Sequence, residues 1–223
     1  FLQEHEAGKL AVCDFTHPKS LIQVTIKGKV LTHIFFHLRL VFSGLSYVEV
    51  FEGSGESFEK FAKGLNAGLL FMGGTPKELR TDSMSAAFKN LNKDESEDQT
   101  VRYRAVLDHY GIEGKRINRG KSHENGSIES SHRHFKEHLK NSLIVRGTSD
   151  FSSIEDYQRF IQKVVDERNK ELGQARLETE RQALGPLPTT QALDYSEQIA
   201  IVSSTSTIQV KRVTYSVPSR LIG

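Results

Sequence analysis

The order of β-type and helical segments in the first part of the sequence most constrains the fold. Three runs rich in Val, Ile, Phe and Thr come first: LAVCD (10–14), VLTHIFFHLRLVF (30–42) and LSYVEVF (45–51). These residue types favour strands, and Gly44 between the last two runs indicates an antiparallel hairpin. A further β-type run, LIQVTI (21–26), lies between the first two. The chain is therefore predicted to open with antiparallel strands.

The spacing of the apolar residues then changes from strand-like to helical. Phe58, Phe61, Leu65 and Leu69 recur every three or four residues before a Gly-Gly pair, which predicts an amphipathic helix with a C-terminal stop. Next come a short strand PKELRTD (76–82), an acidic stretch LNKDESEDQ (91–99) interpreted as a mobile loop, a second helix TVRYRAVLDHYG (100–111) and a fifth strand GIEGKRIN (111–118). Antiparallel strands followed by alternating strands and helices predict an α/β fold, with a five-stranded mixed sheet and helices on both faces.

The sequence beyond residue 147 has a different pattern. Residues 152–172, SSIEDYQRFIQKVVDERNKEL, predict another helix, capped at Ser153, and GPLPTT (185–190) has the composition of a linker. Ile208, Val210, Tyr215 and Val217 alternate in the tail, which predicts short strands of a small β unit. We therefore divide the chain into a core at 1–147, a helical extension at 148–184, and a linker with a small β segment at 185–223.

Composition narrows the classes of protein. A chain of 223 residues, 37% hydrophobic and 26% charged, is typical of a globular protein with a sizeable core. No apolar run approaches the roughly 20 residues of a membrane helix, and no signal-peptide pattern is present. Cys13 is the single cysteine, which excludes an internal disulfide and thiolate metal sites and fits a reducing compartment. Because the sequence opens without Met and soon becomes strand-like, we expect it to be part of a longer protein.

Three carboxylates stand where the predicted elements end or begin. Asp14 is placed at or just beyond the end of the first strand, Asp82 at the end of the fourth, and Glu129 in the first turn of the helix after the fifth. If strands one and four are neighbours, their ends converge on one edge of the sheet, and the helix can bring Glu129 to the same point. Such a cluster needs a hard cation, Mg²⁺ or Mn²⁺. Two ions about 3.5 to 4 Å apart would support in-line displacement at phosphorus, with Asp14 bridging, Asp82 on one ion and Glu129 on the other.

The segment HENGSIESSHRHFKEHLK (123–140) predicts a third helix. This helix carries an apolar stripe and a neighbouring polar stripe. Residues 102–146 contain ten Lys or Arg, five Asp or Glu and five His, a local basicity that suits a phosphate backbone, although a solvated surface is an equally open interpretation. The apolar stripe consists of Ile128, Phe135, Leu139 and Leu143, and the polar stripe of Glu129, Arg133, Lys136 and Lys140. The candidate DNA contacts are Arg119, Lys121, His132, Arg133, Lys136 and Lys140.

Other polar residues are given structural interpretations. Cys13 is expected to be a small buried strand residue, and Asn125 to cap the third helix. His33 and His37 are four residues apart and could share a metal only on a helix, whereas their stretch is predicted as a strand. His17 is interpreted as a polar residue at a strand end.

Three sequence blocks resemble the carboxylate blocks of integrase-core transposases in the RNase H-like superfamily. They are DFTHPKS (14–20), LRTDSMSAAF (79–88) and HENGSIESSHRHFKEHL (123–139). The third is the most specific, since its Asn-Gly-x-x-Glu followed by His-Arg resembles the segment with the last catalytic carboxylate, and this selects Glu129 over Glu124. ALGPLP (183–188) and VKRVTYSVPSRLIG (210–223) are similar to the linker and small β-barrel of IstA-type insertion-sequence transposases. The chain departs from the pattern in having Asp-Phe-Thr-His after the first carboxylate and INRGKSHENGS (117–127) before the third.

The resemblance implies an RNase H-like integrase catalytic core at 1–147 and the start of a β-barrel at 185–223. It also implies a DNA transposase that uses two Mg²⁺ or Mn²⁺ ions held by Asp14, Asp82 and Glu129. Water would cleave a phosphodiester at the transposon end, and the freed 3′-hydroxyl would then attack target DNA. Further implications are N-terminal helix-turn-helix regions in the full protein, homo-oligomers, an ATPase helper protein and a bacterial cytoplasmic location at the nucleoid. Two alternatives stay open: a catalytically silent DNA-binding or assembly module, and a hydrolytic nuclease without strand transfer.

Overall fold

The computed structural model describes residues 5–18, 22–81, 93–116, 126–190, 200–210 and 213–221. Side chains are described throughout these ranges except at 93–100, 116, 126–129, 210 and 213. Contacts divide the chain into two compact units, Phe1–Ala192 and Leu193–Gly223. The domain boundaries predicted after residues 147 and 184 stay predictions.

Five strands of the first unit form a central mixed sheet. The strands of this unit are β1 (Leu10–Thr16), β2 (Thr25–Ile26), β3 (Lys29–Val30), β4 (His33–Leu40), β5 (Ser46–Glu52), β6 (Glu78–Thr81), β7 (Glu113–Arg116) and β8 (Asp150–Phe151). The spatial order in the central sheet is β5-β4-β1-β6-β7. β1, β4 and β5 are antiparallel, whereas β1, β6 and β7 are parallel. The predicted five-stranded mixed sheet is confirmed. β1 and β6, the first and fourth predicted strands, are neighbours, which is the condition for the predicted convergence of their carboxylates.

The first face of the sheet, which carries Cys13, packs against α1 (Phe58–Met72) and α2 (Lys93–His109). The Ser57 side chain caps α1 at its N-terminus, and Gly73 ends it with φ 79°, a left-handed conformation that glycine adopts without strain. The helix lies close to the sheet because Gly64 has no side chain: a Cβ there would stand 2.5 Å from the Phe36 ring. The helix predicted from the Phe and Leu spacing is therefore confirmed, and Cys13 is buried as expected.

The start of α2 corrects one prediction. Residues 93–99 of the stretch interpreted as an acidic mobile loop belong to this helix, whose first residue is Lys93. Charge alone does not oppose helix formation, since Lys, Glu and Gln are good helix formers. Carboxylates are also favourable near a helix N-terminus, where the macrodipole is positive.

The second face of the sheet packs against α3 (Gly126–Arg146) and α4 (Ile154–Lys170). Its buried core joins the sheet to both helices and includes Phe35 from β4, Val48 from β5, Phe135, Leu139 and Leu143 from α3, and Tyr157, Ile161, Val164 and Val165 from α4. The apolar stripe predicted for the third helix is thus confirmed at the three members whose side chains are described. Ser153 caps α4 by accepting a hydrogen bond from the backbone N–H of Asp156, also as predicted.

Two parts of the first unit were not predicted correctly. Within residues 22–26, which the structure describes, only Thr25–Ile26 forms a strand, in a small sheet of order β3-β2-β8 that is separate from the central one. α5 (Gln174–Ala183) was missed. Only Leu177 and Glu180 of this helix are buried, so its sequence carries little of the apolar periodicity that predicts a helix.

The second unit contains an antiparallel pair, β9 (Thr207–Val210) and β10 (Val213–Ser216), followed by a 3₁₀ turn at Ser219–Leu221. The short strands predicted for the tail are confirmed, whereas a closed β-barrel stays a prediction. Among the helices that the structure describes, none has the length and hydrophobicity needed to cross a membrane.

Candidate active site

Asp14 lies on β1 near the middle of the central sheet. It is the fifth of the seven residues of this strand, so the expectation that it would stand at or beyond the strand end is corrected: β1 continues to Thr16. Because side chains alternate along a strand, Asp14 faces opposite to the buried Cys13 and lies on the second face. Its side chain keeps 20% of its surface exposed. One oxygen, Oδ1, accepts a hydrogen bond of 2.9 Å from the backbone N–H of Phe15.

Strand β6 runs parallel to β1 on the side away from β4. The register pairs Leu10 with Glu78 and continues to Cys13, which stands opposite Thr81. Thr81 is the last described residue of this strand. Asp82, the residue that follows it in the sequence, lies outside the described residues, and its role as a ligand stays a prediction.

Helix α3 crosses the second face beside β1. His132, in the second turn of this helix, has its Nδ1 3.9 Å from Oδ2 of Asp14. Glu129 is part of α3, three residues before His132, although its side chain lies outside the described residues. Positions three apart on a helix lie on the same side. The helix therefore places residue 129 one turn from the residue that faces Asp14. Glu124 and Asn125 lie outside the described residues.

His132 is buried, and this corrects its assignment as a DNA contact. Only 8% of its surface is exposed, because the ring faces the sheet, where it packs at 5.1 Å (ring centroids) from His37. Burial, with a smaller effect from Lys136, lowers the pKa of His132 to about 4. The burial of residue 132 could have been predicted from the sequence. The apolar residues Ile128 and Phe135 are seven positions apart, so a residue about halfway between them lies on the same face of the helix and also faces the sheet.

His37 is the residue opposite Asp14 on β4. It is buried, and burial followed by the neighbouring His132 lowers its pKa well below the usual value. His33, on the same strand and face, instead bonds to the Tyr157 hydroxyl and to the carbonyl of Leu31. Both histidines are on a strand, as expected, and among the described residues no group of three or more His, Cys, Asp or Glu is arranged to hold a metal.

The predicted basic residues of α3 reach the surface to different extents. Arg133 and Lys140 are exposed and Lys136 is half-buried, so all three can meet solvent along the helix. Arg119 and Lys121 lie outside the described residues. A cavity of about 300 Å³ lies beside Lys140 near the end of α3, and its lining, which includes Ile22 and Ile144, contains no carboxylate. The cavity therefore lacks the carboxylate ligands of the predicted metal site.

Comparisons with known proteins were made for the sequence and for the fold. No protein-family model matches the chain. The chain is 45% identical over all 223 residues to the uncharacterized protein y4jA/y4nE/y4sE of Sinorhizobium fredii (strain NBRC 101917 / NGR234). It spans 44% of the length of that relative, so it corresponds to under half of a longer protein there.

Solved structures that resemble the chain include retroviral integrases. The catalytic core domain of BIV integrase has a TM-score of 0.51 at 17% identity, over 78% of this chain and 97% of that one. The simian T-cell lymphotropic virus intasome, solved with the PP2A regulatory subunit B56 gamma, has a TM-score of 0.56 at 12% identity, over 96% and 77%. The HTLV-2 integrase core, solved as a dimer with magnesium, has a TM-score of 0.47 at 18% identity, over 71% and 84%. The strand order, together with the similarity to the BIV integrase core and to the simian T-cell lymphotropic virus intasome, shows that the chain has the RNase H-like fold of retroviral integrase catalytic cores.

Proposed function

We propose that the chain is the catalytic core of a DNA transposase of the IstA type, which cleaves DNA at transposon ends and joins it to target DNA. The observation that carries this proposal is the parallel register of β1 and β6. It pairs Cys13 with Thr81, the residues that precede Asp14 and Asp82 in the sequence. Helix α3, with Glu129 three residues before the residue that faces Asp14, crosses at the same point.

We propose that a divalent metal binds at a site of oxygen ligands around Asp14. Asp14 is a partly exposed carboxylate in the middle of a sheet whose neighbouring strand residues are largely buried, a costly position for a negative charge unless a cation or hydrogen bonds balance it. Asp14, Asp82 and Glu129 would hold two Mg²⁺ or Mn²⁺ ions, the hard cations that such ligands select. When bound, these ions would stabilise the charge on the attacking and leaving oxygens of a phosphodiester.

Basic residues would orient the DNA beside this site. Arg133 and Lys140 are exposed on α3 and Lys136 is half-buried on it, within three turns of residue 129. Their charges suit phosphate oxygens, which position a duplex without reading its sequence. Arg119 and Lys121 are proposed as further phosphate contacts from the segment before α3.

The rest of the proposal concerns the full-length protein. We propose that it acts as a homo-oligomer in the bacterial cytoplasm, at the nucleoid when bound to DNA, and that an ATPase helper protein assists it. The intasome among the structural neighbours supports assembly, and the greater length of the Sinorhizobium relative supports further regions outside this chain.

One assay separates this proposal from a nuclease and from a silent DNA-binding module. Supercoiled plasmid is incubated with the chain, with Mn²⁺ or Mg²⁺, and with a labelled duplex oligonucleotide that offers a free 3′-hydroxyl. Nicked plasmid that carries the label supports the transposase. Nicking without the label indicates a nuclease, whereas binding without nicking indicates the silent module. Asp14→Asn is the control, and nicking that survives it would contradict the proposed site.

A further inference from the structure

Asp14 has its two carboxylate oxygens in different surroundings. Oδ1 accepts the backbone N–H of Phe15 at 2.9 Å, which fixes that oxygen from within the strand. Oδ2 faces Nδ1 of His132 at 3.9 Å, which is longer than a hydrogen bond. A carboxylate can accept hydrogen bonds and bind a cation at the same time, since each oxygen has two lone pairs.

The surroundings of His132 restrict how its ring can be protonated. Its other nitrogen, Nε2, is buried and has no hydrogen-bond partner among the described residues. A neutral imidazole carries one N–H and one bare nitrogen. A bare Nδ1 would set a lone pair against the Asp14 oxygen and would leave an N–H buried at Nε2. The tautomer with the proton on Nδ1 avoids both costs.

The His132 ring also packs against a second histidine. His37 packs against it with centroids 5.1 Å apart and an interplanar angle of 34°, and His37 is itself the cross-strand neighbour of Asp14. The three side chains thus form a compact group on the second face of the sheet, and the 3.9 Å between Nδ1 and Oδ2 must shorten for a hydrogen bond to form.

We propose that His132 is a positioning residue for Asp14: it donates its Nδ1–H to Oδ2 and fixes the carboxylate in the orientation that metal binding requires. This inference rests on the proposed function. Partners of metal ligands act in this way because they restrict rotation of the ligand, and their loss typically weakens metal affinity about 10- to 100-fold.

The tautomer provides a test that needs neither metal nor activity. In long-range ¹H–¹⁵N spectra of the chain at neutral pH, the nitrogen of His132 that carries the proton is read directly. The signal is assigned by its loss in His132→Phe. We expect the proton on Nδ1, and a proton on Nε2 would overturn the inference.

Metal affinity provides the second test. Mn²⁺ binding is measured by calorimetry for the wild type, for His132→Phe, which keeps a flat ring without nitrogens, and for His132→Asn, which restores a donor. We expect His132→Phe to weaken binding at least tenfold and His132→Asn to recover part of the loss. Ser131→Ala is the control, because Ser131 is a buried neighbour on the same helix turn. Circular dichroism confirms that each variant is folded.

The outcomes distinguish this inference from the proposed function. If the wild type binds Mn²⁺ and folded His132→Phe binds it equally well, the role of His132 is refuted while the metal site stands. If the wild type binds no Mn²⁺, the proposed function fails, and the positioning role fails with it.

Discussion

The buried carboxylate of Glu180 provides a quantitative test of how the first unit is held together. This side chain on α5 is 1% exposed, and each of its oxygens accepts one backbone hydrogen bond. Oε1 accepts the N–H of Gly8 at 2.6 Å, and Oε2 accepts the N–H of Ser43 at 2.6 Å. Glu180 therefore ties α5 to the segment before β1 and to the turn between β4 and β5.

The expected cost of Glu180→Gln follows from these two contacts. A hydrogen bond to a charged group contributes about 1.5–3 kcal/mol, and a buried donor left unsatisfied costs about 1–3 kcal/mol. Gln keeps the shape and one acceptor, but its NH₂ group must face one of the two backbone donors. We expect the free energy of unfolding to fall by about 3 kcal/mol.

Urea denaturation followed by circular dichroism measures this change. With a slope of about 1–3 kcal/mol per molar urea, the midpoint should fall by at least about 1 M. Glu178→Gln is the matched control, since Glu178 is exposed on the same helix and accepts a hydrogen bond from the Gln182 side chain; its effect should stay within about 0.5 kcal/mol. A loss below about 1 kcal/mol for Glu180→Gln, with an unchanged slope, would refute the reasoning.

Two further predictions concern packing and DNA binding. Gly64→Ala should destabilise the fold by about 1–3 kcal/mol, because the new Cβ would stand 2.5 Å from the buried Phe36 ring, whereas Gly55→Ala, with open space around it, should be nearly neutral in the same urea assay. Alanine at Arg133 or Lys140 should weaken binding of duplex DNA and reduce the slope of log affinity against log salt by about 1 each. Anisotropy titrations at several salt concentrations measure this slope, and an unchanged value would exclude that residue as a phosphate contact.

Local periodicity predicted much of the fold, because the spacing of apolar residues within α1 and α3 shows which side of each helix is buried. Phe61 and Leu65 on α1, and Phe135 and Leu139 on α3, follow the helical period and are buried where it predicts. These faces need only a few residues of context. The adjacency of β1 and β6, on which the site hypothesis depended, is a property of the sheet topology and not of either strand's own sequence.

The remainder depends on partners distant in sequence. Glu180 anchors α5 to backbone N–H groups that are 172 and 137 residues away in the sequence. No local sequence pattern predicts such distant contacts. His132 was placed beside the site but assigned to the surface, because a histidine among lysines and arginines resembles a DNA contact. Its burial follows from where the helix meets β1 and β4, and that is a property of the assembled fold.

The central claim is that Asp14, Asp82 and Glu129 share a divalent metal site, and Mn²⁺ binding tests it most directly. Calorimetry is performed on the wild type and on Asp14→Asn, Asp82→Asn and Glu129→Gln, with Glu137→Gln, an exposed carboxylate of α3, as the control. The account predicts that the three site variants bind Mn²⁺ more weakly than the wild type and that the control binds it equally well. Absence of Mn²⁺ binding by the wild type, with or without DNA, or equal binding by all variants, would contradict it.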